Sequence, residues 1–463
     1  MSPELPVNDR ERGVESATNT EARDRSLPRG HSIRRNIFYA VLGNGLLNLS
    51  RLAVLALLAK LATTEIQGIY TYTIIALAGP VILFCALELR SAFVADAGGE
   101  FTFGTYRTLR TVGMGVAGVV LLATVLWHTR DHASATLIWM MLAICAGKIV
   151  FSLAEVYWGV YQRRERLGLM AWSNALRGVA MLIPFALLFR WLPALGIIDL
   201  EQQNDSQLMW LAALAISLYV LAWVAIWYFY DRRLVVAPGD MDMRWDWPAV
   251  WKLAKQTFPL GLVFLLINLC DTVTQWSIKR AAGDDGWIEL GYFGSMRFIT
   301  LVAMFLVVQV NTAAGNRLAN AYQRDLRAFV RLAAKVIGVA LVLGLGFLGA
   351  AWFHGEWFLR VIYTPEHARH YPEFLILVSA QAIVLLAAVF GAVTTYMRQF
   401  WIQVPVHVSV LAITAVAATL LVQPEDPVRG GAWTELARSA TQAVLYLGCV
   451  LIGIRWRNRI TGA

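Results

Sequence analysis

The chain has 463 residues, of which 58% are hydrophobic and only 15% charged, with a mean hydropathy of +0.56. Soluble domains carry nearer a quarter charged residues, so the several soluble domains that length alone would suggest are excluded. The net charge of +9 would hint at nucleic acid in a soluble protein. In an apolar chain it reports orientation first, and no nucleic-acid partner is expected.

Residues 1–35 mix seven Arg with six Asp or Glu and have few large apolar side chains, which reads as a disordered tail. No small-residue cleavage site accompanies the first apolar run, so no cleaved signal peptide is expected. Runs long enough to cross a hydrocarbon core of ~30 Å then follow. They lie near 37–59, 70–89, 111–127, 136–161, 171–190, 208–230, 255–277, 289–313, 332–352, 373–396, 402–422 and 433–454. The expected architecture is an all-α integral membrane protein of twelve transmembrane helices in two six-helix lobes with a central cavity. Its parts are a cytoplasmic tail (1–35), an N-terminal lobe (36–231), a cytoplasmic linker (232–254), a C-terminal lobe (255–456) and a short tail (457–463).

Charge tests that topology. With both termini inside, 27 of the 40 Lys and Arg fall on inner segments, nine on outer segments and four within helices. That bias follows the positive-inside rule, and shifting the helix count by one would scramble it. Many of the 18 Trp sit at helix ends, among them Trp127, Trp191, Trp276, Trp352 and Trp433, where an indole finds both lipid and water. Cys85, Cys145, Cys270 and Cys449 lie inside apolar runs without metal-ligand or redox spacing, and read as small packing residues.

Two halves of six helices share one orientation, and a faint repeat accompanies them. Leu46-Leu47-Asn48-Leu49-Ser50-Arg51 aligns with Leu266-Ile267-Asn268-Leu269-Cys270-Asp271, and Glu65-x-x-Gly68-x-Tyr70 with Glu289-x-Gly291-Tyr292-Phe293. Parallel repeats of this kind place a substrate site between the halves.

Polar residues inside the spans are costly and mark cavities or partners. The first helix carries Asn44, Asn48 and Arg51 on one stripe, the fourth Lys148, Ser152 and Glu155, and the seventh Asn268, Asp271, Thr272 and Gln275. Asn174 and Arg177 lie in the fifth, Arg297 in the eighth, and Glu88 and Arg90 at the inner end of the second. Cations gathered on several helices suit an anionic group, because a guanidinium fork matches phosphate oxygens. The alternative is internal pairing, Arg51 with Asp271 and Lys148 with Glu155. Glu435, Arg438 and Gln442 read as a rim salt bridge near the outer surface, and His407 as a helix-contact residue. No Gly-x-Ser-x-Gly, phosphate loop or His-Glu-x-x-His occurs, so neither an enzyme nor a nucleotide-driven engine is expected.

The run Arg35-Asn36-Ile37 into Gly43-Asn44-Gly45-Leu46-Leu47-Asn48-Leu49-Ser50-Arg51 resembles the first helix of the polysaccharide flippases (O-antigen, Wzx-type) of the multidrug/oligosaccharidyl-lipid/polysaccharide exporter superfamily. Leu87-Glu88-Leu89-Arg90, Phe101-x-Phe103-Gly104-x-Tyr106-Arg107 and Tyr161-Gln162-Arg163-Arg164-Glu165-Arg166 continue the resemblance. Phe258-Pro259-Leu260-Gly261 and Gly355-Glu356-x-x-Leu359-Arg360-x-Ile362-Tyr363 extend it over roughly 35–455. It implies a transporter that moves undecaprenyl-diphosphate-linked oligosaccharide across a bacterial inner membrane by alternating access. It further implies a cationic cavity for the diphosphate, with Arg51, Arg90, Arg177 and Arg297 at the matching positions. With the residue reading, the expected substrate-binding set is Arg51, Arg90, Lys148, Arg177, Arg297 and Asn48. Asp271 and Glu155 are the expected carriers of a coupling proton or Na⁺. No other cofactor or metal is expected; partners would be the bilayer, a polysaccharide polymerase and a chain-length regulator. A drug or cation antiporter, a glycan polymerase or ligase working through the 353–372 loop, and a non-transporting scaffold are the other readings.

Overall fold

The structure, a computed structural model, describes residues 33–96, 99–130, 134–164, 166–196, 199, 204–232, 245–397 and 401–461. Most of the expected N-terminal tail, and 233–244 of the expected linker, lie outside these residues. The described chain is helical, and it contains eleven apolar stretches long enough to cross a membrane. One of them, Trp247–Leu301, is two helices that meet at Gly283. That residue has φ +59°, which a side chain would resist.

Twelve helices therefore cross the bilayer. They are α1 (Ile33–Leu61), α2 (Thr64–Tyr72, Thr73–Leu77 and Ala78–Ala86, resuming at Leu89–Ala95), α3 (Phe103–His128) and α4 (Ala135–Arg163). α5 is Leu167–Ala186 extended by Leu187–Trp191, and α6 is Asp205–Ile226 extended by Trp227–Asp231. α7 is Trp247–Ala282, α8 Gly286–Arg324, α9 Leu326–Ile362, α10 Tyr371–Tyr396, α11 Gln403–Leu421 and α12 Pro427–Thr461. Several outrun the apolar windows in the sequence. α8 and α9 are separated by Asp325 alone, whose carboxylate caps α9 by accepting from Arg327 N and Ala328 N. The 353–372 segment, expected as a loop, is helical to Ile362 and again over Pro365–Arg369. An even number of crossings puts both chain ends on one face, here termed proximal; the opposite face is distal.

The helices form two lobes. In the first, α1 packs on α5, α4 on α6 and α3 on α4; in the second, α10 packs on α12 and α9, and α7 on α11. α2 bridges the lobes, its distal part against α8 and its middle against α7. Its course is set by breaks. Pro80 cannot donate to the carbonyl four residues back, and a π turn, Thr73–Leu77, lies just upstream. Leu87 (φ +51°) and Glu88 (φ +47°) are both left-handed, at a cost of roughly 1–2 kcal/mol each. There α2 turns before its last piece, Leu89–Ala95.

Candidate functional site between the lobes

A cavity of about 340 Å³ lies between the lobes. Its first-lobe wall presents Arg51 from α1, Tyr70 and Ile74 from α2, Lys148 and Glu155 from α4, and Tyr219 and Trp223 from α6. Its second-lobe wall presents Asn268 and Asp271 from α7, and Phe298 and Leu301 from α8. The polar stripes of α1, α4 and α7 thus converge, because spacings of three and four residues keep side chains on one helix face.

The two walls differ electrically. Arg51 Nη1 donates to Asn48 Oδ1 at 3.4 Å, and its guanidinium lies 5.0 Å from the centre of the Phe151 ring. Among the described residues no carboxylate forms an ion pair with Arg51 or Lys148, and Glu155 makes no hydrogen bond. On the second-lobe side, among the described residues, the buried charges behind the wall are matched to one another. Asp271 Oδ1 accepts from Arg438 Nη1 at 2.6 Å and from Arg297 Nη2 at 3.2 Å. Glu435 pairs with Arg297 at 3.1 Å and with Arg438 at 3.2 Å. Thr274 Oγ1 donates to Glu435 at 3.2 Å, and Arg297 Nη1 donates to Gln381 Oε1 at 3.3 Å. Two arginines and two carboxylates make a neutral quartet, and only Asp271 reaches the cavity.

The expected site residues therefore divide. Arg51, Lys148, Glu155 and Asp271 line the cavity; Asn48 orients Arg51; Arg297 lies behind Asp271. Arg177 is elsewhere, fully buried, with Nη2 at 2.6 Å from Asp231 Oδ2, a further bond to Ser173 Oγ, and its guanidinium over Trp158. Burial makes that pair an internal strut, since an unpaired guanidinium there would be costly. Arg90 is also elsewhere, on the last piece of α2, donating to Gln162 Oε1 at 3.2 Å and lying over Trp158. Neither expected pairing forms: Asp271 takes Arg297 and Arg438 in place of Arg51, and Lys148 is not bonded to Glu155. Glu435 and Arg438 are not a rim pair, being 1% and 6% exposed. His407 bonds Tyr446 Oη at 2.9 Å, a helix contact within the second lobe.

Sequence reasoning missed Arg110, which is 1% exposed and donates to Ser152 Oγ at 2.9 Å, between Lys148 and Glu155 on α4. It lies just before the apolar run at 111–127. The missed signal was Thr102, whose hydroxyl caps α3 by accepting from Thr105 N and so places Arg110 two turns inside the helix. Asp231, expected as the last residue of the N-terminal lobe, is fully buried at the end of the π turn that closes α6.

The lobes close at the distal face. A Cβ on Gly68 would lie 1.8 Å from the Trp287 carbonyl, and one on Gly291 would lie 2.2 Å from that of Thr64. Lys279 Nζ lies 2.9 Å from His128 Nε2 and 3.7 Å from the Trp287 ring centre, and Lys60 donates to the Val361 carbonyl. Near the proximal face an exposed ion pair, Lys252 to Glu100 at 2.9 Å, joins the lobes. Exposed to water and salt, it contributes little to holding the lobes together.

No family model matches the chain. The capsular polysaccharide biosynthesis protein CapF of Staphylococcus aureus is 20% identical over 365 residues, covering 78% of this chain and 84% of CapF. Among solved structures, an inward-facing multidrug resistance MATE family transporter of the MOP superfamily superposes with TM-score 0.66 at 12% identity, covering 92% of this chain and 99% of that one. An outward-facing MATE structure gives 0.61 at 14% identity, covering 93% and 96%. A MOP superfamily transporter from Pyrococcus furiosus, described as having a binding pocket of reverse polarity, gives 0.64 at 14% identity, with the same coverage. The chain has the fold of the MATE transporters of the MOP superfamily, twelve membrane helices in two lobes around a central cavity.

Proposed function

We propose that this chain transports an anionic, lipid-linked oligosaccharide, of the undecaprenyl-diphosphate kind, across a bacterial inner membrane by rocking its two lobes. The observation that carries this reading is the charge asymmetry of the cavity. Among the described residues, Arg51 and Lys148 stand without ion-pair partners on the first-lobe wall, while the buried Asp271, Glu435, Arg297 and Arg438 of the second lobe neutralise one another. A diphosphate would supply the missing anion, and the fork of Arg51 suits its oxygens. The aromatic wall of Tyr70, Tyr219 and Trp223 offers faces for sugar rings. The name of CapF supports a polysaccharide role. A cavity of 340 Å³ is at the lower end for small-ligand sites of roughly 300–1,000 Å³. It would therefore take the head of the substrate, leaving the polyprenyl chain in lipid.

The excess of Lys and Arg on proximal segments supports reading that face, with both termini, as the cytoplasmic one. In that reading the closed distal face would be the outer gate of an inward-facing arrangement, and the likeness to the inward-facing transporter supports it. Glu155, facing the cavity near Arg110 but in no ion pair among the described residues, is the residue proposed to carry a coupling proton or Na⁺. Asp271, held by two arginines, is the weaker candidate. A polysaccharide polymerase and a chain-length regulator remain the proposed partners.

The test is replacement of Arg51 or Lys148 by Ala in a strain that depends on this protein for surface polysaccharide. Loss of polysaccharide with the protein still folded in the membrane is expected; normal polysaccharide in both variants overturns the reading. The Glu155 carboxylate among aromatic walls also fits a drug or cation antiporter. Dye efflux that depends on Glu155 and not on Arg51 would select that activity.

A further inference from the structure

Pro80 removes the N–H that would have bonded the Ala76 carbonyl four residues earlier, so α2 carries an acceptor without a donor in its own helix. Ala76 is 2% exposed, and a buried carbonyl in lipid without a partner is costly. Its partner comes from the other lobe: Thr272 Oγ1 on α7 lies 2.8 Å from Ala76 O. The same hydroxyl lies 3.1 Å from Asn268 O, one turn back in α7. A hydroxyl has one hydrogen, so it can serve either carbonyl and never lacks an acceptor.

We infer that Thr272 is a positioning residue for lobe rocking, a hydroxyl that bonds the proline-orphaned Ala76 carbonyl when the lobes are together and falls back on Asn268 when they part. Three features of the surroundings carry this. Ala76 lies in the stretch of α2 between the distal clamp at Gly68 and the α7 contact, so the bond sits where relative rotation of the lobes is felt. Its neighbours Ile75, Ala78 and Gly79 line the cavity, so a carbonyl released there meets cavity water or the occupant. Gly79 leaves room for the α7 side chain beside it, since a Cβ there would lie 3.1 Å from Asn268 Oδ1. Separation therefore costs Thr272 no hydrogen bond, and the whole penalty falls on Ala76 O, which the cavity can then satisfy. A bond of this kind can be broken and remade in every cycle.

The inference rests on the rocking of the lobes set out above but not on the identity of the substrate, and its test uses no substrate. Leu195, at the distal end of α5, and Glu425, between α11 and α12, mark the two lobes. Spin labels at Leu195→Cys and Glu425→Cys, in the full-length chain freed of its native cysteines, report distal separation in lipid nanodiscs. Thr272→Val, isosteric but without a donor, should raise the open-to-closed ratio about tenfold. Thr272→Ser should restore the parent distribution. Pro80→Ala returns an N–H to Ala76 O, so Thr272→Val added to Pro80→Ala should shift the ratio far less than it does alone. An unchanged distribution in a folded Thr272→Val protein overturns the inference. So does a Pro80→Ala/Thr272→Val protein displaced as far as Thr272→Val. If Thr272→Val does not fold, the Pro80→Ala/Thr272→Val protein decides: folding there supports the role, and failure there overturns it. Absence of oligosaccharide transport alongside these distance shifts would count against the proposed substrate and leave this inference standing.

Discussion

Gly68 of α2 and Gly291 of α8 lie where the lobes cross at the distal face, each so close to the opposing backbone that a methyl group would overlap a carbonyl. The backbone cannot yield as a flexible side chain would, so the helices must part. Gly68→Leu should hold the distal face open. A membrane-impermeant thiol reagent added on the distal side should then label Ile74→Cys, a cavity position, at least tenfold faster than in the parent. Equal labelling would show that the clamp lies elsewhere.

Arg177 and Asp231 are both fully buried, so neither has water to fall back on. Removing one partner of such a pair costs about 3–5 kcal/mol. Arg177→Ala and Asp231→Asn should therefore each lower the thermal unfolding midpoint in detergent by several degrees or prevent folding. An Arg177→Met/Asp231→Leu double variant should regain much of that loss. Arg51→Ala, with only Asn48 as its hydrogen-bond partner among the described residues, should leave the midpoint nearly unchanged. A single variant of the Arg177 pair as stable as the parent would contradict the strut reading.

Asp271 contributes one of the two negative charges that neutralise Arg297 and Arg438. Asp271→Asn keeps the shape and leaves the second-lobe wall with a net positive charge. The variant should bind a short prenyl diphosphate more tightly than the parent, by about tenfold, and the gain should shrink as salt is raised. It should also be less stable, since two buried guanidinium groups then share one carboxylate. Isothermal titration in detergent at two salt concentrations checks both the sign and the screening.

The helix count and the convergence of the stripes on α1, α4 and α7 were legible in the sequence, because apolar run length and residue spacing are local properties. Helix ends were not, and one error follows from that. Windows of about 20 residues clip helices of 26 to 39 residues such as α3 and α8, which put Arg110 in a loop when it is bonded to Ser152. Charge pairing was not legible either. Arg438 could be matched to Asp271 only by knowing that α12 packs against α7, a contact between residues 167 positions apart. Arg177 stood out as an intramembrane cation, but nothing local distinguishes a strut from a ligand site. The difference lay in Asp231, which the π turn at the end of α6 swings back into the lobe.

His367, in the one-turn helix at the distal face, makes the lobe contact sensitive to pH. Its ring is buried, with Nε2 3.1 Å from Gln67 Oε1 and Nδ1 2.9 Å from Thr364 Oγ1. Gln67 Nε2 already donates to Leu55 O, so Oε1 is the free acceptor and His367 must donate from Nε2. Nδ1 then accepts from the Thr364 hydroxyl, which fixes the neutral ring. Tyr363 stacks on one side, Tyr292 packs edge-on, and His370 and Glu366 are the charged groups nearby. Burial, reinforced by His370 and opposed by Glu366, pushes the imidazole down to about 4 from its ordinary 6.5. The sign follows from proton binding. Above pH 6.5 neither state is protonated at this residue, and its contribution to closure is complete. Between 6.5 and 4 the parted lobes bind a proton that the closed lobes exclude, so closure weakens as pH falls, by up to about tenfold per pH unit. Spin labels at Leu195→Cys and Glu425→Cys should therefore report more of the parted state at pH 5 than at pH 7.5. His367→Gln, which keeps a donor amide and does not titrate, should flatten the part of that response due to this ring. A response identical in His367→Gln and the parent would assign the pH dependence to His370 or His128 instead.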